Sequence, residues 1–348
     1  MKRTLLRGNE AVAEAAVQAG CRFYAAYPIT PQNEIPEYMS WRMPQAGGVF
    51  VQAESELSAI NMVYGASAAG ARAMTTSSSP GVSLMQEALS YLAAAELPAV
   101  VVNVQRGGPG LGNISGSQAD YFQATKGGGH GDYRLLVYAP FSVQELWELT
   151  MLSFDKADEY RNPVMLLADG VLGQMMEPVE PSPYRGSPPD KPWALTGSKG
   201  RKPNVIKSLF MGPGELEQRN RHLQQKYRLM QREARHACYH HEGARAMVVA
   251  FGIGARLALQ AVQSLRAEGH RVGLFRPITL FPFPALALRE LVAEGVGKFI
   301  VFELNAGQMV EDVRLALCSS PARVEFHGRP GGSVVSPEEV AEALEALL

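Results

Sequence analysis

The chain has 348 residues, 46% of them hydrophobic, and 33 Lys+Arg against 34 Asp+Glu for a net charge of −1. That length suits roughly two domains with ample cores, and the near-neutral balance argues against a nucleic-acid or acidic-membrane partner, which needs a basic face. The cysteines Cys21, Cys238 and Cys318 are too scattered for a disulfide framework and too few for an iron–sulfur cluster. The segment Met1–Leu6 lacks a signal-peptide core and no apolar run is long enough to span a membrane, so a cytoplasmic protein is expected.

From residue 5 to about 172, short apolar runs alternate with helix-like segments. The pattern predicts strands over Phe23–Ala26, Ala73–Thr76, Ala99–Val104, Leu135–Val137 and Val164–Ala168. It predicts helices over Asn9–Ala19, Glu56–Ala69, Leu84–Ala95 and Val143–Tyr160. Such alternation makes a mainly parallel sheet covered on both faces, with ligand loops at the carboxyl ends of its strands. Prolines at 178, 181, 183, 188, 189, 192, 203 and 213 then mark an ordered arm or linker. Glu215–Ala237, rich in Gln, Arg, Glu and Leu, suits an exposed helix lying on a partner. A second α/β unit follows, with strands Ala246–Phe251, Val272–Phe275 and Lys298–Phe302 and helices Leu257–Glu268 and Pro337–Leu347. The expected division is 1–177, 178–244 and 245–348.

Candidate chemistry falls in the loops after the strands. Tyr27-Pro28-Ile29-Thr30-Pro31 stiffens a loop and presents the Thr30 hydroxyl; the same Thr-Pro pair also suits a helix N-cap. Glu56 begins an apolar small-residue run read as a buried helix. A carboxylate there sits beside the positive end of the helix dipole and against a dry surface, two opposed influences on its proton. Thr75–Gly81 offers hydroxyls, Thr76 and Ser77 among them, that hold a polar ligand or cap a helix beginning near Val82. Arg106 precedes Gly107-Gly108-Pro109-Gly110-Leu111-Gly112; it either grips a carboxylate or idles on a flexible surface loop. A phosphate-loop reading fails because no Lys-Ser or Lys-Thr pair follows. Gly252-Ile253-Gly254 lacks the third glycine of a dinucleotide fingerprint and reads as a tight strand–helix turn. His236–His241 matches no zinc spacing, and Glu303–Gln308 is equally an interface or a site.

These pieces, in this order, resemble the alpha-type subunit of the thiamine-diphosphate-dependent 2-oxoacid:ferredoxin oxidoreductases, over nearly the whole chain. The stretches Val51–Tyr64 and Gln118–Tyr133 look most like the branch that acts on branched-chain oxoacids such as 3-methyl-2-oxobutanoate. The resemblance implies an α/β chain of two thiamine-diphosphate-enzyme-like domains, a pyrimidine-binding domain and a transketolase C-terminal-like domain, joined by the Pro-rich arm and a helix. It implies that Glu56, nine residues before Gly65, holds the cofactor's distal pyrimidine nitrogen in a dry pocket, with Tyr27, Pro28, Thr76 and Ser77 against the same cofactor. It assigns the 2-oxoacid carboxylate to Thr30 and Arg106. It further implies oxidative decarboxylation to acyl-CoA and CO2, with electrons leaving to a ferredoxin-like carrier.

No Gly-Asp-Gly with a downstream Asn, the usual magnesium–diphosphate motif of thiamine enzymes, occurs in this chain, and it offers no metal site. A beta-type partner is therefore expected to supply Mg2+ and the 4Fe-4S cluster, and a gamma-type subunit to complete a hetero-oligomer with coenzyme A as acyl acceptor. Arg134, Lys126 and His130 near the glycine-rich loop keep 2-oxoglutarate open as an alternative substrate. A non-catalytic structural subunit is the third reading, against which the joint presence of Thr30, Glu56 and Arg106 speaks.

Overall fold

Short strands of small and β-branched residues bury both faces only when helices cover them, and the chain builds two sheets of this kind. The computed structural model describes residues 3–333 and 335–348. The larger sheet has the order Thr279–Phe281, Leu136–Tyr138, Pro163–Asp169, Ala99–Gln105, Ala73–Ser77, Phe23–Ala26 and Val49–Gln52. All of it is parallel except Thr279–Phe281, which runs antiparallel to Leu136–Tyr138. From Phe23–Ala26 the chain steps outward to Val49–Gln52 and then returns to the other side at Ala73–Ser77. The two loops that leave Ala26 and Ser77 therefore open beside each other at a topological switch point, where such sheets bind ligands.

Period-two alternation splits the central strand between two cores. Val100, Val102 and Val104 pack with Tyr24, Met74 and Leu166 on one face, while Val101 joins Ile60, Val63, Val82 and Leu89 on the other. That second core runs on into Val249, Phe275 and Phe299 of the smaller sheet and Phe251 just after its central strand, so the two layers share apolar packing. The smaller sheet has the order Arg323–Gly328, Lys298–Glu303, Ala246–Val249, Val272–Pro277 and His236–Tyr239, the last strand antiparallel. Thr4–Arg7 pairs antiparallel with Met176–Val179 to make a separate ribbon.

The helix expected over Glu215–Ala237 ends at Met230, passes through a short turn at Gln231–Glu233, and gives way to the edge strand His236–Tyr239. One face of it packs on its own chain. Leu223, Tyr227 and Met230 enter the larger sheet's core, and Glu96 receives Arg219 at 2.7 Å, His222 at 3.1 Å and Lys226 at 3.3 Å. Burial pushes the Lys226 ammonium down to about 8 in spite of Glu96. The helix Glu34–Gln45 and the strand Val49–Gln52 escape the sequence pattern because Pro36, Pro44 and Gly47-Gly48 break its periodicity. Among the described residues no helix is long and apolar enough to cross a membrane.

The Pro-rich arm is held by a buried guanidinium. Arg72, 5% exposed, donates through Nε to Asp158 at 2.7 Å, through Nη2 to Asp155 at 2.8 Å, and through Nη1 to the Tyr184 hydroxyl at 2.9 Å. Lys191 of the arm reaches the same Asp158 at 2.7 Å. Removing one partner of a buried pair leaves an uncompensated charge, typically a loss of about 3 kcal/mol or more. Arg72→Ala should therefore lower unfolding stability by about that amount and speed proteolytic cleavage between Tyr184 and Asn204. An unchanged cleavage pattern would mean that other contacts hold the arm.

Candidate active site

Ser55 sets the start of the Glu56 helix. Its backbone is extended (φ −161°, ψ 162°) and its hydroxyl accepts from Ser58 N–H at 3.1 Å. That start turns Glu56 inward, to 5% exposure, where its Oε1 accepts from the Ser77 hydroxyl at 3.4 Å. A β-carbon on residue 81 would stand 2.3 Å from Glu56 Oε1 and 2.1 Å from Ser77 Oγ, so only glycine fits there. Glu54 faces away, exposed, with the Ser58 hydroxyl at 2.6 Å holding its carboxyl below the usual range. The helix is not buried all round, as its small-residue composition had suggested. Leu57, Asn61, Met62 and Gly65 share an open face, and a β-carbon at Gly65 would meet nothing within 4 Å.

Thr30 does not cap a helix. Gln32 N–H turns back to Ile29 O at 3.1 Å, the next helix starts only at Glu34, and Thr30 stays exposed with its hydroxyl 3.3 Å from Asn33 Nδ2. The Pro31 carbonyl is clamped by Asn9 Nδ2 at 2.8 Å and Gln174 Nε2 at 3.1 Å. Arg106 reaches across to this loop. Its Nη1 donates to Thr30 O at 2.9 Å, its Nη2 to Leu111 O at 3.0 Å, and its backbone N–H to Ser79 Oγ at 3.0 Å. Its Nε is buried without a hydrogen-bond partner, as is Ser78 Oγ at the start of the next helix. That helix begins at Ser79, three residues earlier than the expected Val82.

Glu56 and Arg106 thus flank the same turn, Ser77–Ser79. The other sequence candidates divide. Tyr27 and Pro28 are exposed on the rim, the Tyr27 carbonyl accepting from Gln32 Nε2 at 3.2 Å. Thr76 lies deeper, its hydroxyl engaged by Tyr24 at 2.6 Å and Gln32 at 2.5 Å. Lys126 is paired with Asp312 at 2.5 Å. Arg134 stands over the Phe281 ring just before the strand Leu136–Tyr138, on the opposite edge of a parallel sheet. His130 packs edge-on to Tyr91, about 18 Å along its helix from Ser79 at a rise of about 1.5 Å per residue. None of these three basic residues lies beside Arg106.

Several site residues were missed from sequence. Asn103 takes Ser79 N–H at 3.0 Å and donates to Asp120 at 2.9 Å, while Ser79 Oγ donates to Asp120 at 2.6 Å. Burial raises the Asp120 carboxyl, against the pull of these two donors. Two polar residues spaced by two in the apolar strand Ala99–Gln105 were the available signal. Gln118 joins the layers: its Nε2 donates to Phe251 O at 2.7 Å, and its Oε1 accepts from Leu304 N–H at 3.1 Å. Gly252 and Gly254 leave room for it, since a β-carbon at 254 would stand 2.7 Å from Gln118 Oε1. Glu303–Gln308 is accordingly an internal interface. Glu303 caps the helix Met309–Leu317, Asn305 holds Gln118 O at 2.8 Å, and Gln308 bridges to Ala119 O at 2.7 Å.

A helix-covered parallel sheet with polar loops gathered at its switch point defines a ligand-binding α/β domain. Residues 14–225 match the family described as pyruvate flavodoxin/ferredoxin oxidoreductase, thiamine diphosphate-binding, and residues 244–340 match pyruvate:ferredoxin oxidoreductase core domain II. The chain belongs to the oxoacid:ferredoxin oxidoreductases, as a subunit of alpha type. It is 51% identical to ketoisovalerate oxidoreductase subunit VorB of Methanothermobacter thermautotrophicus, across 100% of this chain and 98% of that one. It is 36% identical to 2-oxoglutarate synthase subunit KorA of the same organism, across 96% of each. The solved 2-oxoglutarate:ferredoxin oxidoreductase from Magnetococcus marinus, with 2-oxoglutarate, coenzyme A and succinyl-CoA bound, superposes with a TM-score of 0.88 at 29% identity. The match covers 99% of this chain and 65% of that longer one, and it upholds the α/β, mainly parallel fold expected from sequence.

Asp169 sits between the layers, 2% exposed, accepting from Val171 N–H at 2.9 Å and Leu172 N–H at 3.0 Å, with Ile253 N–H as a further donor. Burial outweighs these donors and pushes its carboxyl up to about 6. The folded chain therefore binds this proton more tightly than the unfolded one. The stability so gained is complete below pH 4 and is lost as pH rises through 6, about 3 kcal/mol in all. Asp169→Asn should gain stability relative to wild type between pH 5 and pH 8 in denaturant unfolding. A difference that stays constant with pH would show that Asp169 titrates normally.

Proposed function

We propose that this chain supplies the pyrimidine-holding and carboxylate-holding half of a branched-chain 2-oxoacid:ferredoxin oxidoreductase. The observation that carries the reading is the flanking of one turn by an almost dry acid, Glu56, and a guanidinium with an unused buried donor, Arg106. The site suits thiamine diphosphate on its own terms. Gly81 leaves room for the acid itself, Ser78 Oγ and Arg106 Nε are buried polar atoms in want of partners, and the acid and the guanidinium match a ring nitrogen of the cofactor and the carboxylate of a substrate. The diphosphate, its Mg2+ and a 4Fe-4S cluster belong in this reading to a beta-type partner seated on the open face of Leu57, Met62 and Gly65. A gamma-type subunit and a ferredoxin-like carrier complete the system.

When bound, the cofactor supplies a carbon nucleophile that lets a 2-oxoacid and coenzyme A become acyl-CoA and CO2 while an electron pair and a proton leave. The chain's residues prepare that chemistry. Glu56 presents a carboxyl to the distal pyrimidine nitrogen, oriented by the Ser77 hydroxyl and shielded from water by the Gly81 turn. Arg106, already fixed through Thr30 O and Leu111 O, offers its remaining N–H groups to the substrate carboxylate, and the Thr30 hydroxyl adds a neutral partner.

The likeness to VorB supports a branched-chain acid such as 3-methyl-2-oxobutanoate. The absence of Lys126, His130 and Arg134 from the arginine's surroundings, and the exposed Tyr27, Leu111 and Ile114 on the rim, agree with an apolar side chain. In the assembled complex, 3-methyl-2-oxobutanoate should drive coenzyme-A-dependent viologen reduction with a higher kcat/KM than 2-oxoglutarate. The opposite ranking would mean that a partner supplies the missing cation. Glu56→Gln should cut turnover by about a hundredfold or more, and Glu54→Gln by less than about twofold given its exposure. Equal effects would show that the wrong acid had been chosen.

A further inference from the structure

The loop that carries Arg106 is closed by its own backbone. Gly107 N–H donates to Ser115 O at 2.9 Å and Asn113 N–H to Gly107 O at 2.9 Å. The closure is crowded: a β-carbon at Gly107 would stand 2.4 Å from Asn113 Oδ1, and one at Gly112, whose φ is +57°, 1.6 Å from Gly107 O. Asn113 is exposed, yet both ends of its amide are engaged. Oδ1 accepts from Ser115 N–H at 3.2 Å, within the loop. Nδ2 donates to Gly332 O at 3.1 Å, in the segment that follows the edge strand of the smaller sheet.

That segment is built for close approach. Gly332 has φ +110°, and a β-carbon at Gly331 would come within 2.4 Å of Ser117 Oγ and 3.1 Å of Ser117 Cα. Arg329 N–H donates to Glu303 O at 2.9 Å, tying the segment to the smaller sheet. Among the described residues the second domain gives no side-chain hydrogen bond to the turn between Glu56 and Arg106, yet its backbone rests on the loop whose Leu111 carbonyl orients the guanidinium.

We propose that Asn113 is a positioning residue, a clasp through which the second domain holds the arginine loop in its substrate-binding form. The functional half of this rests on the assignment of Arg106 to the substrate carboxylate. A loop containing Gly107, Gly108, Gly110 and Gly112 has many conformations open to it once released. Apparent affinity falls in proportion to the fraction of time the competent form is populated, while Glu56 and its turn are untouched. The clasp therefore acts on KM and not on kcat.

Asn113→Asp separates the two ends of the amide. It keeps the acceptor for Ser115 N–H and replaces the donor to Gly332 O with a carboxylate oxygen that the carbonyl repels. In the assembled complex, Asn113→Asp and Asn113→Ala should both raise KM for 2-oxoacids about three- to tenfold, the worth of one hydrogen bond, with kcat within about twofold. Gly331→Ala should act in the same direction. Amide hydrogen exchange measured without substrate should quicken in both Asn113 variants over residues 108–114 and 329–333. A normal Asn113→Asp beside an impaired Asn113→Ala overturns the clasp, because the turn inside the loop then suffices. Unchanged exchange overturns it whatever happens to KM. Faster exchange with unchanged KM leaves the clasp standing and removes Arg106 from the carboxylate.

Discussion

The space beside Gly81 is the constraint on which the rest of the site depends. Any side chain there would occupy the place of the Glu56 carboxylate and the Ser77 hydroxyl together. With it absent, a charged or protonatable group can sit almost dry at a sheet edge, close to a helix N-terminus and away from bulk solvent. The same turn presents Ser79 to the opposite side, where Asn103, Asp120 and the backbone of Arg106 close on it. One short segment therefore sets the separation of the acid from the arginine. The polar groups behind it are nearly all satisfied, which makes such a network rigid.

The exceptions to that satisfaction are informative. Arg106 Nε, Ser78 Oγ and, in the strand that leads to the turn, Thr75 Oγ1 are buried and unpaired, which costs free energy unless a ligand or water takes them up. Strain and unmet polar groups collect where a fold has been shaped for binding and not for stability. Thr76, by contrast, is spent on Tyr24 and Gln32 and acts as scaffold.

The two sheets behave as one support because polar side chains bridge them where apolar contact stops. Gln118 uses its amide and its backbone toward the second domain, and Asn305, Gln308 and Asp312 answer from the other side. Gly252 and Gly254 look like half of a nucleotide fingerprint, but their lack of β-carbons serves to admit Gln118. Glu303 illustrates the same economy: a buried acid that accepts from the N–H groups of Gln308, Met309 and Val310 stabilises a helix start.

Periodicity, loop chemistry and family likeness were enough to read the alternating α/β plan and to single out the acid at residue 56, the arginine at 106 and the hydroxyls after the strands as candidates. Those features are local, since hydrophobic spacing and turn residues act over a few positions. What lay beyond sequence were the contacts between distant segments. Thr30 as cap or free hydroxyl was decided by a turn at Gln32, the exposed-looking helix after residue 215 was claimed by Glu96, and Lys126, His130 and Arg134 were carried away from the arginine. Asn103 and Asp120 became partners only when Ser79 was placed between them. Sequence alone determined which groups the chain has to offer and on which edge of a sheet they emerge. Tertiary structure decided which of them meet, because burial and close approach depend on atoms that the chain brings together from far apart.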